Sequence, residues 1–392
     1  MGEDGTGAAP LVAAGFEALR RGDANAACEI FSRAVAAESG SAEAWYGLSI
    51  AHRTLGAVQA EDSALDRALA ADARHLPALI RKGDVHAARN DPRAATSFYR
   101  AAIKIGATVP SLSREWRAEL GRVEAACRQS GRAYERHLVE ALEQRGLGGP
   151  GSGRFARALE LLLGRRRIFL QQPQYFYFPE LPQIEFYDSA HFPWVRALEA
   201  ATGAIREELM GVLESEAGFV PYLKREANRP AFDSKGLLDD PAWSAYHLIQ
   251  TGTPVAERAA RFPRTFEALA ALPLCRIHGR TPTVLFSMLR PGAHIPPHHG
   301  YLNTRLICHL PLVVPPQCAL RVGNETRAWR AGELVIFDDT IEHEAWNRST
   351  ERRVVLLFDI WRPELTEQER SLVAAMLEAI DRFGGPRQAW TQ

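Results

Sequence analysis

Three large residues, Phe31, Leu65 and Tyr99, stand 34 positions apart, and other columns keep the same step. Gly22, Gly56 and Asn90 recur where a tight turn belongs. Ala26, Ala60 and Ala94, and then Ala34, Ala68 and Ala102, recur where two helices would approach closely. Trp45 and Leu79 keep step as well. A fixed period of this length marks one supersecondary unit used repeatedly, and such a unit buries its apolar face only by stacking on its neighbours. The stretch from about Pro10 to Ile105 is therefore expected to form roughly three helical hairpins, with Phe31, Leu65 and Tyr99 in their core.

The period and its small-residue columns resemble tetratricopeptide repeats in a degenerate form, since the first repeat lacks the aromatic residue that Trp45 supplies in the second. From Ser111 to about Arg145 helical spacing continues through Trp116, Leu120, Val123 and Ala126, as expected of a capping helix. Gly146 to Gly153, GLGGPGSG, interrupts regular structure. The predicted organisation is a helical-repeat domain over residues 8–145, a linker over 146–154 and a second domain over 155–392 that opens with a helix from Phe155 to Leu170. A further helix is expected from Pro193 to Glu214. Beyond it, runs rich in β-branched and aromatic residues predict strands at Thr283 to Leu289, Arg305 to Val314, Ala319 to Val322, Glu333 to Phe337 and Arg353 to Trp361. A helix from Glu367 to Phe383 closes the chain. Short strands with Pro and Gly turns predict a barrel or jelly roll, so the fold class is α+β multidomain, all-α repeats followed by a jelly-roll domain.

Composition sets outer limits. Hydrophobic residues make up 46% and charged residues 24% of 392, ordinary for globular domains, and a net charge of +0 argues against a nucleic-acid or membrane-surface partner. The N-terminus lacks the basic and apolar regions of a secretory signal, and no run reaches about 18 apolar residues, so a cytoplasmic chain without a transmembrane helix is expected. Five scattered cysteines (Cys28, Cys127, Cys275, Cys308, Cys318) contain no CxxC pair and read as reduced thiols.

The chemistry concentrates between residues 291 and 365, in PGAHIPPHHGYLNTRLICHLPLVV, RVGNETRAWRAGELVIFDDTIEHEAWN and RRVVLLFDIWRPEL. His298 is read at a turn just before a strand, His309 inside the next strand, and His343 just after a strand ending at Phe337. Strands of a barrel can bring distant histidines to one rim, where neutral imidazoles suit Fe(II), or Mn(II) and Co(II) by coordination preference. His298 and His343 are the candidate pair. A common facial triad places a carboxylate two residues after its first histidine, and here that residue is Gly300.

The segments HIPPHHGYLNTRLICHLPL, VGNET, FDDTIEHEAWN and DIWRPEL resemble the catalytic core of the aspartyl/asparaginyl β-hydroxylase family, over roughly residues 172–372. The resemblance implies a double-stranded β-helix dioxygenase domain with a two-histidine iron site, in which Gly300 is the expected residue. It implies that His298 and His343 bind Fe(II), that Ser287, His309 and Arg353 hold 2-oxoglutarate, and that Asp339 orients the metal's open face. An arginine fork with a hydroxyl beside it suits a carboxylate. Ile307 departs from the pattern, because animal members carry an arginine there. The implied reaction couples oxidative decarboxylation of 2-oxoglutarate by O2 to hydroxylation of a bound C–H, the cofactor supplying the difficult chemistry.

Other residues are read as structural. His294 is taken as a turn residue and His299 as an exposed neighbour, Asp338 as a strand-end cap, and Asn303 and Arg305 as shaping the pocket. Arg352 and Arg353 must face opposite ways, and the resemblance selects Arg353. Residues from Gly218 to Thr251, Trp243 among them, are candidate pocket walls. Three functions are consistent with these features. The leading one is β-hydroxylation of Asp or Asn in a peptide, protein or carrier-bound substrate recruited by the repeats. The second is the same chemistry on a small amino acid or lipid acyl chain. The third is a repeat scaffold with a degenerate barrel, against which the intact His298, His343 and Arg353 stand.

Overall fold

The computed structural model describes residues 8–149, 152–225 and 236–383. The chain divides into two compact units, Met1–Leu159 and Glu160–Gln392.

In the first unit the period is visible as matched helices. The hairpins are α1 (Ala8–Arg20) with α2 (Ala24–Ala37), α3 (Ala42–Thr54) with α4 (Val58–Ala71), and α5 (Leu76–Ala88) with α6 (Pro92–Gly106), followed by the long α7 (Arg114–Glu143). Gly22, Gly56 and Asn90 all take positive φ, at 80°, 73° and 58°, which is why the turn column accepts only Gly or Asn. Asp23 and Asp91 cap the helices that follow two of these turns, accepting from Ala26 and Ala94 backbone N–H at 2.9 and 3.0 Å. Ala34, Ala68 and Ala102 are fully buried, as expected. Ala26, Ala60 and Ala94 are only half-buried, and the helix contact falls one residue later, on Ala27, Glu61 and Ala95. The acid in that column is paired with Arg81. Phe31 fills the space between Gly15 and Gly47, where an added Cβ would lie 2.6 and 2.2 Å from its ring.

The helix expected from Phe155 to Leu170 is shorter. It is α8 (Gly153–Leu162), stopped by Gly164 at φ +71° and followed by an extended strap. Pro150 and Gly151 of the predicted linker lie outside the described residues. The helix expected over 193–214 is two helices, α9 (Val195–Ala200) and α10 (Thr202–Leu213), joined at Ala201. The helices α11 (Ala256–Ala259), α12 (Pro263–Ala270) and α13 (Glu367–Arg382) complete the set. Among the described residues no helix is long and apolar enough to cross a membrane.

The second unit is built on two antiparallel sheets. The larger runs β1 (Phe186–Tyr187), β10 (Val335–Phe337), β7 (Arg305–Val313), β12 (Arg353–Trp361), β5 (Val284–Leu289), β3 (Trp243–Gln250) and β2 (Val220–Pro221), with β4 (Thr253–Pro254) beside β3. The smaller runs β6 (His294–His298), β11 (His343–Asn347), β8 (Cys318–Val322) and β9 (Glu325–Ala328). All five predicted strands are present. The sequence reading missed β3, β6, β9 and β11 and the two-residue strands β1, β2 and β4; of these β6 hides behind Pro296 and Pro297, residues that usually mark turns.

Alternation along the strands creates two apolar layers. Leu306, Cys308, Leu310 and Leu312 of β7, with Leu356 and Phe358 of β12, face α9, α10 and α12. Ile307 of β7, Leu285 and Leu289 of β5 and Leu357 of β12 face the opposite way, toward Ile295, Leu320, Val322 and Ala345 of the smaller sheet. Helices therefore cover one face of the large sheet and the small sheet covers the other, an arrangement compatible with a jelly roll. Polar residues that share the inward face of β5, β7 and β12 must find partners between the sheets, and this places the site.

Phe31→Ala is expected to cost about 3–5 kcal/mol in the helical unit. Hydrogen exchange should show lost protection across α1 to α4 and unchanged protection in β5, β7 and β12.

Candidate active site between the sheets

A cleft enclosing about 580 Å³, its open mouth included, lies between the two sheets. All six residues singled out from sequence line it: Ser287, His298, His309, Asp339, His343 and Arg353. They come from five strands and one turn, distant in sequence.

The two histidines sit opposite one another on adjacent strands. His298 is the last residue of β6 and His343 the first of β11, and the register pairs them directly. Each therefore belongs to a strand end, not to the flanking turn as expected. Their ring centroids are 4.0 Å apart. In each ring Nδ1 faces the backbone carbonyl two residues earlier, Pro296 at 2.8 Å and Ile341 at 3.1 Å. A carbonyl can only accept, so Nδ1 carries the proton and the ring lone pair is on Nε2. Burial, and then the neighbouring His298, holds the pKa of His343 well below its ordinary value, keeping it neutral. Two imidazoles with matched Nδ1 partners suit a single first-row cation as a ligand pair. Among the described residues no group of three His, Cys, Asp or Glu side chains is placed to hold a metal.

Gly300 and Asp339 explain why the set stops at two histidines. A Cβ on Gly300 would lie 2.0 Å from Asp339 Oδ2, and Gly300 N–H donates to the Asp339 carbonyl at 2.7 Å. The carboxylate that a facial triad would supply from position 300 is thus displaced by one arriving from the turn after β10. Burial pushes the Asp339 pKa up to about 7, against the pull of Arg305, whose Nη2 is 3.6 Å away. Arg305 is in turn held by Asp359 at 3.1 Å. Asp339 Oδ1 has no hydrogen-bond partner among the described residues.

Deeper in the cleft the chemistry changes to anion recognition. Arg353, 1% exposed, starts β12, lies over the Trp329 ring at 4.4 Å and makes one long bond to the Ser287 carbonyl at 3.4 Å. Its Nε has no partner, and no carboxylate pairs with it among the described residues. Burial lowers its pKa to about 9, which still leaves it charged at neutral pH. The Ser287 hydroxyl accepts from Trp243 Nε1 at 3.2 Å, so its own proton is free to be donated. His309 Nδ1 and Trp329 Nε1 are likewise buried without partners. Burial, and then Arg353, pushes His309 down to about 3, so it stays neutral and offers one N–H. A buried cation with polar groups unpaired around it is costly unless an anion completes the set.

The remaining expectations divide. Asp338 accepts from Thr340 N–H and pairs with buried Arg362, a capping and structural role. Asn303 bonds Gln171 and Phe178 and stands outside the cleft lining. Arg305 supports Asp339, while His294 pairs with Glu344 on the outer side. Arg352 faces away, donating to the Leu213 carbonyl. His299, expected to be exposed, is half-buried and lines the cleft. Trp243 and Ile307 line it too. The sequence reading overlooked Trp329, which stands between β9 and β10 without a periodic neighbour to mark it.

Gly300→Ala is expected to destabilise the sheet unit by about 1–3 kcal/mol through collision with Asp339. Adding Asp339→Ala should recover most of that loss, and a thermal-melt double-mutant cycle checks it; additive losses would mean that the two positions are not in contact.

Residues 199–363 match the family model described as Aspartyl/Asparaginyl beta-hydroxylase. The ornithine lipid ester-linked acyl 2-hydroxylase of Rhizobium tropici is 36% identical over 185 residues, covering 45% of this chain and 60% of that protein. The human aspartyl/asparaginyl beta-hydroxylase is 34% identical over 187 residues, covering 46% of this chain and 23% of that one. The matches therefore span less than two thirds of either relative. The Yersinia enterocolitica type III secretion chaperone SycD aligns at 14% identity over 31% of this chain and 89% of its own, with a TM-score of 0.29, and the repeat assignment rests on the hairpins themselves. The family match falls within the sheet unit and encloses all six cleft residues singled out from sequence, Ser287, His298, His309, Asp339, His343 and Arg353, so this unit is similar to the aspartyl/asparaginyl β-hydroxylases in sequence.

Proposed function

We propose that the protein is an Fe(II)- and 2-oxoglutarate-dependent hydroxylase. The observation that carries this reading is Arg353, a buried guanidinium without an acid partner among the described residues, in the same cleft as a histidine pair with both lone pairs on Nε2. His298 and His343 would hold the iron. Arg353 and Ser287 would bind the distal carboxylate of 2-oxoglutarate, and His309 would donate toward the carboxylate nearer the metal. When bound, iron and 2-oxoglutarate supply O2 activation coupled to decarboxylation, giving succinate and a hydroxylated C–H. The chain orients these groups: the two backbone carbonyls fix the imidazole tautomers, Arg305 holds the Asp339 carboxylate at the vacant side of Gly300, and Tyr222, Trp243 and Phe337 keep the walls apolar and exclude water.

Two substrate classes follow from the relatives. The first is the β-carbon of an Asp or Asn residue in a peptide, protein or carrier-bound substrate, with the helical unit recruiting it or a partner. The second is a lipid acyl chain. The lining favours giving the second equal standing, because Ile295, Ile307, Leu320, Phe337, Ala345 and Leu357 are apolar and Arg353 is the one Lys or Arg among the described lining residues. A substrate carboxylate would compete with 2-oxoglutarate for that cation. Mass spectrometry of reactions with Asp- or Asn-containing peptides and with acyl lipids decides the substrate, a gain of one oxygen marking the product.

Turnover is expected to vanish in His298→Ala and His343→Ala with the fold retained, since both occupy strand ends. Arg353→Ala should raise the 2-oxoglutarate concentration required by roughly 10- to 100-fold, equivalent to about 1.5–3 kcal/mol, with little change in the iron requirement. Equal effects on both requirements would overturn the assignment of Arg353.

A further inference from the structure

Trp329 stands where the chain leaves one sheet for the other. The residue before it, Ala328, ends β9 and pairs with Ala319 of β8. The turn that follows is tied to the larger sheet: Gly332, at φ +81°, donates its N–H to the Pro311 carbonyl of β7 at 2.9 Å, and Glu333 N–H closes the turn on the Arg330 carbonyl at 3.1 Å. With the backbone held on both sides, the indole enters the layer between the sheets, where it is buried. Its Nε1–H has no hydrogen-bond partner among the described residues, so packing alone places the ring.

Two groups of the cleft rest on that ring. The Arg353 guanidinium lies over it at 4.4 Å, and the His309 ring lies 5.8 Å from it at an interplanar angle of 60°. Arg353 and His309 line the cleft and Trp329 does not, so the indole stands behind both. Arg353 has little else to fix it, since it makes one long bond to the Ser287 carbonyl at 3.4 Å and its Nε has no partner among the described residues. A guanidinium stacked on an aromatic face takes the plane of its fork from that face. His309 also meets Phe337, edge to face at 5.1 Å. The indole thus holds the fork and the imidazole at a fixed separation and keeps Arg353 from settling back into the layer.

We propose that Trp329 is a positioning residue that sets the chain length of the 2-oxo diacid the cleft accepts, by fixing how far the Arg353 fork stands from His309. The inference rests on the reading of Arg353 and His309 as the groups that meet the two carboxylates of 2-oxoglutarate. The charge of Arg353 attracts any diacid alike, so charge does not choose between homologues. A diacid one methylene longer brings its far carboxylate to where the braced guanidinium already stands, and one methylene in a fitted pocket changes binding by roughly tenfold or more.

The test is anaerobic calorimetric titration of the full chain, loaded with Fe(II), with 2-oxoglutarate and with 2-oxoadipate, its homologue one methylene longer. Wild type is expected to prefer 2-oxoglutarate by about tenfold or more. Trp329→Leu lets Arg353 withdraw and should reduce that preference by about tenfold, to near equality or reversal. Trp329→Phe keeps an aromatic face and breaks no hydrogen bond among the described residues, and it should fall between the two. Fe(II) affinity and the circular dichroism spectrum should stay as in wild type. A merely structural role weakens both acids in proportion, so a ratio unchanged in the variants overturns the inference while 2-oxoglutarate binding stands; if Trp329→Leu does not fold, Trp329→Phe decides alone. Equal binding of the two acids by wild type overturns it as well. A wild type that binds Fe(II) but neither acid overturns the cofactor reading, and this inference with it.

Discussion

Arg353 sits in the middle strand of the large sheet, between two β-sheets, with no counter-charge. Taking a guanidinium out of water costs several kcal/mol unless something negative meets it, and the surrounding acids are all committed elsewhere. Asp338 is paired with Arg362, and Asp359 and Asp339 face Arg305. No acid competes for Arg353 among the described residues, while Trp329 supports one side of it and the Ser287 hydroxyl and His309 stand near. The sheets thus pre-form a largely apolar pocket with Arg353 as the one Lys or Arg among its described lining residues. An arriving carboxylate satisfies what the fold leaves unsatisfied, and the arrangement makes sense as a binding site more readily than as a stabilising core.

The histidine pair depends on the same sandwich in another way. Strand pairing between β6 and β11 sets His298 against His343, and the carbonyls of Pro296 and Ile341 fix both tautomers. Gly300 then matters for what it omits. With no side chain there, the Asp339 carboxylate closes against the backbone beside His298, and a second carboxylate from position 300 would have no room. One acid is exchanged for another on a different element, held off by its link to Arg305. The histidine pair and Arg353 share the cleft because both face the space between the sheets, His298 and His343 from the smaller sheet and Arg353 from the larger one, whose other face carries the helix-covered core.

Much of this was legible in the sequence, for identifiable reasons. The 34-residue step predicted the hairpins because every repeat solves the same packing problem, and the positive φ of Gly22, Gly56 and Asn90 shows why that column is restricted. The contact column was misplaced by one residue, since Ala26 and Ala27 are both small and composition alone does not say which faces the partner helix. Strands β5, β7 and β12 announced themselves as apolar runs. Strand β6 did not, because it is an edge strand that carries Pro296 and Pro297, and β11 did not, because two of its three buried positions, His343 and Asn347, are polar. Trp329 was invisible for another reason: its importance lies in stacking with Arg353, a contact between residues far apart in sequence.

The account stands on one claim, that the histidine pair and Arg353 form a single site for iron and 2-oxoglutarate. Anaerobic titration of the metal-free protein with Fe(II) and then 2-oxoglutarate tests it, through the visible charge-transfer absorption of 2-oxoglutarate chelated to iron. The account predicts a band that appears only when both are added, is lost in His298→Ala, and in Arg353→Ala requires far more 2-oxoglutarate to reach the same intensity. A wild-type protein that binds neither component, or a band unchanged in His298→Ala, would contradict it.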